Sequence, residues 1–175
     1  MKLQKIFLAV VAVVGGPSAF AFDGTINITG RVTDQTCEVK TGTENLSVQL
    51  PEVGAASLNA ANKTAGATSF AISLQGCNPG TGNVTAFFEP GSTIVGSRLK
   101  NTSTNSPAGN VEIQLLNNNH TPIDLSQNTA SGQFSTAVPV TTTDINLNYY
   151  AQYYATNAAT PGEVKSTVNY TIVYN

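Results

Sequence analysis

The chain has 175 residues, with 8 lysines and arginines against 10 aspartates and glutamates and a formal net charge of −2. Charged residues make up 10% of it, against a usual ~25%, and Thr, Asn and Ser supply the polar surface instead. A nucleic-acid partner is excluded, since it would require a basic face; dense packing of like subunits and a plain secreted β protein both stay open.

The first residues carry an export signal. Lys2 and Lys5 precede an apolar run from Ile6 to Val14, Gly15-Gly16-Pro17 break it, and Ala19-Phe20-Ala21 supplies a small-x-small cleavage site. Nine apolar residues make about 14 Å of helix, too short for a ~30 Å hydrocarbon core. Cleavage after Ala21 removes 21 of 175 residues and leaves 154, one domain of ordinary size with a net charge near −4.

The mature chain opens with FDGTINITGRVTDQTC, Phe22 to Cys37. Ile26, Ile28 and Val32 share one face of a predicted strand, while Gly24 and Gly30 notch that same face where side chains ought to pack. Cys37 and Cys77 are the two cysteines, and in an exported chain they form one disulfide. Two thiolates with a single His elsewhere do not make a zinc site.

Short strands separated by turn chemistry follow. LSVQL (46–50) alternates and stops at Pro51; SLNAANKTAGAT (57–68) reads as loop with a short helical turn; TSFAISLQGC (68–77) puts Phe70, Ile72 and Leu74 on one face. NVTAFFEPG (83–91), VEIQLLN (111–117), FSTAVPV (134–140), NLNYYAQYY (146–154) and STVNYTIVY (166–174) complete the series, with NNNHTPID as a hairpin loop. Many short strands with regular turns indicate a β-sandwich or barrel. In the last strand Val168, Tyr170, Ile172 and Tyr174 share a face, and no charge, proline or glycine guards it, so at a sheet edge it would be adhesive.

No catalytic constellation is present. His120 lies in a turn without a nucleophile or acid beside it, the carboxylates are scattered, and the glycines do not cradle a phosphate. Tyr149, Tyr150, Tyr153 and Tyr154 read as core and interface packing ahead of a sugar-stacking platform. The expectation is a non-enzyme without cofactor or metal.

GTINITGRVTDQTC, the Cys37–Cys77 spacing, VQLPEV with the loop to FAISLQGC, YYAQYYATNAATPG and STVNYTIVYN stand in the order seen in chaperone–usher pilin subunits. Gly162, fourteenth from the end, and penultimate Tyr174 match that family's C-terminal pattern. The chain most resembles the type 1 major fimbrial subunit. The resemblance implies an all-β, incomplete immunoglobulin-like β-sandwich that lacks its last strand, divided into signal peptide (1–21), N-terminal donor-strand extension (22–35) and pilin domain (36–175). It implies a structural subunit of a fimbria used in surface attachment and biofilm formation, polymerising by donor-strand exchange, with Gly24, Ile26, Ile28, Gly30 and Val32 as donor residues. Gly30 is expected where a neighbour's groove is too shallow for a side chain. The implied partners are further pilins, a periplasmic chaperone, an outer-membrane usher and a tip adhesin elsewhere in the fibre. Export runs through the periplasm to the cell surface. Val168, Tyr170, Ile172, Tyr174 and the carboxylate of Asn175 are the expected chaperone-facing edge. The alternatives are a minor adaptor pilin and a self-contained secreted carbohydrate-binding β-sandwich.

Overall fold

The structure, a computed structural model, describes residues 26–29 and 37–175. The chain divides into two units, Met1–Thr33 and Asp34–Asn175. In the second unit the strands are β1 (Glu38–Val39), β2 (Thr64–Gln75), β3 (Asn83–Phe88), β4 (Ile94–Val95), β5 (Arg98–Lys100), β6 (Val111–Asn117), β7 (Val138–Pro139), β8 (Ile145–Ala155) and β9 (Tyr170–Tyr174). The helical content among the described residues is one 3-10 turn, Ala55–Leu58.

Two antiparallel sheets form. One has the order β1-β2-β8-β6-β5-β4 and the other β7-β3-β9. Alternation builds the first: Leu74, Ile72 and Phe70 of β2 lie opposite Ile145, Leu147 and Tyr149 of β8, and the same period of two turns Ile113 and Leu115 of β6 beside Tyr153 and Ala151. In the second sheet Val84, Ala86 and Phe88 of β3 lie opposite Tyr174, Ile172 and Tyr170 of β9.

Tyr149 ties the layers together. It is 1% exposed, its ring meets Phe88 edge-on at 5.4 Å and Phe70 at 5.7 Å, and its hydroxyl accepts from the Ala86 N–H at 3.3 Å while pairing with Ser135 Oγ at 3.2 Å. A buried phenol needs such partners, because an unpaired hydroxyl there would be costly. Cys37 and Cys77 are joined by a disulfide, which fixes the segment leading into β1 to the end of β2.

Three elements differ from the sequence reading. β2 starts at Thr64, inside the segment expected to be loop: a bulge between Ala65 and Thr68 takes up Gly66 at φ +69, with the Tyr153 ring against it, and pairing continues on both sides. LSVQL forms no strand and joins neither sheet. FSTAVPV keeps only Val138–Pro139 as strand. Its predicted alternation loses to Gln133, which is fully buried and acts as a substitute strand: Phe88 N donates to its Oε1 at 3.1 Å, and its Nε2 donates to Phe88 O at 2.7 Å. Phe134, next to it, turns outward in a left-handed conformation (φ 58) and is 70% exposed.

At Gly162 the chain runs directly against residues 106–108. Glu163 N donates to Ser106 O at 2.8 Å, Ala108 N donates to Glu163 O at 2.9 Å, and a Cβ on Gly162 would collide with the backbone of Ser106, Pro107 and Ala108. Gly162→Ala therefore forces two backbone segments apart. It should cost about 1–3 kcal/mol, read as a lower denaturant midpoint with an unchanged slope.

Candidate functional site

Within the 34–175 unit an apolar groove of about 650 Å³ is lined by residues 46–50 and 166–170. One wall carries Leu46, Val48 and Leu50; the other carries Ser166, Val168 and Tyr170; Phe70, Ile72, Phe88, Leu99, Ile113, Leu115 and Ala151 form the floor. The floor consists of the alternating inward residues of β2, β3, β5, β6 and β8, so the groove opens straight into the core. Phe70 and Ile113, on interior strands, stay only half-buried for that reason.

Among the described residues, the walls have no strand partner on the groove side. β9 is an outer strand of its sheet, hydrogen-bonded to β3 along one edge only. The segment before it is likewise held from behind: Thr102 N donates to Lys165 O at 2.7 Å, Thr93 Oγ1 donates to Thr167 O at 2.7 Å, and Lys165 N donates to Asn101 Oδ1 at 3.0 Å. The opposite wall, 46–50, belongs to neither sheet. Two edges whose main-chain N–H and C=O groups have no partner among the described residues on this side thus line an open stretch of core, the chemistry of a site for an extended strand.

Two tyrosine hydroxyls bridge one end. Tyr174 donates to Cys37 O at 2.7 Å and Tyr170 to Glu44 O at 3.4 Å. Burial pushes both phenols above their ordinary value; the Glu44 carboxylate adds to this at Tyr170, and the Cys37 hydrogen bond opposes it at Tyr174. Among the described residues, Ser166 Oγ is the one buried side-chain polar atom with no hydrogen-bond partner.

The predicted site residues fall as follows. Val168, Tyr170, Ile172 and Tyr174 all turn toward the core, the first two at the groove. The backbone of Asn175 exchanges two 3.0 Å hydrogen bonds with Asn83. Ile26 and Ile28 are 88% and 90% exposed, and Gly24, Gly30 and Val32 lie outside the described residues. His120 is exposed in the turn after β6 and stacks on Tyr150 at 4.2 Å. Sequence reasoning missed Leu46, Val48, Leu50 and Ser166 as groove residues. The available signal was that LSVQL and the C-terminal run both alternate apolar and polar residues, as a groove wall does.

The family model for type-1 fimbrial protein, A, matches residues 50–175. The chain belongs to the type-1 fimbrial protein family. It is 43% identical over 180 residues to the F17 fimbrial protein of Escherichia coli, covering 98% of this chain and 99% of that one. It is 45% identical over 164 residues to the major fimbrial subunit SMF-1 of Stenotrophomonas maltophilia (strain K279a), covering 90% and 96%. In fold, the fimbrial subunit is similar to a chain from a chaperone–usher pilus structure (TM-score 0.60, 16% identity, 91% of this chain and 100% of that one). It is also similar to the P pilus rod subunit PapA (TM-score 0.59, 14% identity, 79% and 99%). The chain is accordingly a structural fimbrial subunit with an all-β, immunoglobulin-like fold that assembles with other pilins in a fibre.

A pH effect follows from the bridging phenols. Their folded pKa values are raised, so the stabilisation is complete below the unfolded value near ~10 and is lost as pH climbs through the folded values. The unfolding midpoint should hold steady to about pH 9 and fall as the pH climbs past the unfolded value of about 10. The double variant Tyr170→Phe/Tyr174→Phe should start lower and show a flatter alkaline limb.

Proposed function

We propose that this subunit is completed in trans by donor-strand exchange: the segment Phe22–Thr33 of one copy fills the groove of the next. The observation that carries this is the groove itself, an apolar core face between two walls that have no strand partner on that side among the described residues. Complementation of pilins by a donated strand is an established form of β-strand addition. Ile26 and Ile28, both exposed, supply the apolar side chains, and Val32 supplies a third by sequence. Burying each contributes about 1.5–3 kcal/mol before the cost of ordering the segment.

On this reading the mature chain begins at Phe22, the donor extension is 22–35 and the pilin domain is 36–175. Each copy offers a donor at one end and an acceptor at the other, a heterologous contact that gives open filaments. Surface attachment and biofilm formation are the corresponding roles of the fibre. Export runs through the periplasm. There a chaperone covers the β9 edge and holds the Asn175 carboxylate until an outer-membrane usher passes the subunit on, with a tip adhesin elsewhere in the fibre. A self-contained carbohydrate-binding sandwich is disfavoured, since such a domain would have a closed core.

Expression of the mature chain alone should give aggregated or self-associated material. Joining a second copy of residues 22–35 to the C-terminus through a flexible linker should give a stable soluble monomer, measured by sedimentation and thermal unfolding. A stable monomer without the added segment overturns the proposal. Deleting Tyr174 and Asn175 should reduce the periplasmic level at least several-fold through loss of chaperone capture, scored by immunoblot; an unchanged level contradicts the chaperone role.

A further inference from the structure

Phe134 is exposed where folding alone would not put it. It is the most exposed large apolar side chain of the 34–175 unit among the described residues. It also sits in the left-handed region at φ 58, where a bulky side chain is strained and an asparagine would be tolerated. The loop is held there firmly. Phe134 N donates to Ser131 O at 3.1 Å, and Phe134 O accepts from Asn117 Nδ2 at 2.9 Å. The flanking Gln133 and Ser135 are buried and hydrogen-bonded to Phe88 and Thr85. A strained, exposed aromatic on a preorganised support has the character of an interface anchor, since little freedom is left to lose on contact.

The surroundings say what covers it. Thr136, Ala137 and Pro139 are exposed nearby in the chain, and no charged residue occurs from Leu125 to Thr143. This edge does not accept a further strand: β7 offers two residues, one of them Pro139 without an N–H, and the Gln133 side chain already occupies the Phe88 backbone. The contact is therefore one of side chains. In an isologous contact a patch faces a copy of itself, so any charge on it would meet its like; here there is none to repel, and a charged partner finds nothing to pair with. Two aromatic side chains bury about 300–500 Å² between them, well short of the roughly 1,200 Å² at which stable pairs begin. Isolated subunits are not held together by so little, whereas two fibres, each repeating the patch once per copy, add many weak contacts.

We propose that the Phe134 patch is a side-to-side contact between fibres: Phe134 of one copy packs against Phe134 of a copy in a neighbouring fibre, with Ala137 at its margin. The contact lies on the β7 edge of the smaller sheet, the edge opposite β9. It is independent of how the groove is filled and needs only that copies of the subunit assemble in a fibre.

The test uses fibres assembled from the full chain. Phe134→Asn suits the left-handed backbone, so its fibres should form in normal yield and unfold at the same temperature or higher, while the amount pelleted as bundles at low speed falls about tenfold or more. Phe134→Glu, which sets like charges face to face, should disperse the bundles as completely. Bundling of unsubstituted fibres should hold or strengthen as salt rises, because salt screens their net negative charge and the contact carries none. With Phe134 kept, Ala137→Cys treated with a short bismaleimide should give subunit dimers on gels, and adding Phe134→Asn should abolish them. Ala61→Cys, on an exposed turn, should give none. The inference is overturned if unsubstituted fibres stay dispersed, if Phe134→Asn fibres bundle as they do, or if the bundles dissolve in salt. It is also overturned if Ala137→Cys links only to a cysteine placed elsewhere, such as Ala159→Cys at the cavity bounded by Val53, Leu58 and Val111, which would make the contact head-to-tail.

Discussion

The structure depends on a gap in backbone pairing. β9 is bonded to β3 on one side, and residues 46–50 lie across from it without a sheet partner. Between them the inward residues of five strands are covered only in part. Apolar burial is the main term favouring folding, and unpaired main-chain groups beside a core are costly. A sandwich that leaves both unresolved along one line has a strong and directional demand for one more strand. The specificity of the subunit follows from where that line runs, since the groove walls decide which side chains are accepted and in which order.

The other edge of the same sheet is closed. β7 covers Asn83 and Val84, and further along the Gln133 side chain makes two hydrogen bonds to Phe88 that a strand would otherwise make. Asn117 supports the same loop, with its Nδ2 donating to Phe134 O at 2.9 Å and its Oδ1 accepting from Thr136 N at 2.8 Å. These buried amides do for one edge what nothing among the described residues does for the other. Blocking one edge while leaving one open suits a subunit that adds neighbours in a single direction, because an exposed second edge would invite branching or sheet-to-sheet aggregation.

Low charge fits this arrangement. Arg98 and Glu112 form the one ion pair among the described residues, at 2.6 Å, and Arg98 also lies 3.9 Å from the Tyr154 ring centre. Elsewhere the surface relies on Asn, Thr and Ser hydrogen bonds, such as Ser73 to Asn146 on the outer face of the larger sheet. Copies with so few charges repel each other little at short range.

The order of apolar and polar residues was sufficient for the all-β class and the inward faces of β2 and β6, because a period of two is local and survives whatever packs above it, and the disulfide followed from there being two cysteines in an exported chain. The unguarded C-terminal run was legible for the same reason. Composition misled at KTAGATS, where a glycine marks a bulge inside a strand and not its end, and at FSTAVPV, where the buried Gln133 just before it binds the Phe88 backbone with its side chain in place of a strand. Which alternating runs find a sheet partner was beyond any local pattern: LSVQL and the residues before Tyr170 look as strand-like as β6. Only the tertiary arrangement leaves them without a strand partner among the described residues, since pairing is decided by which edges the fold brings within hydrogen-bonding distance, and here it sets these two on one apolar groove.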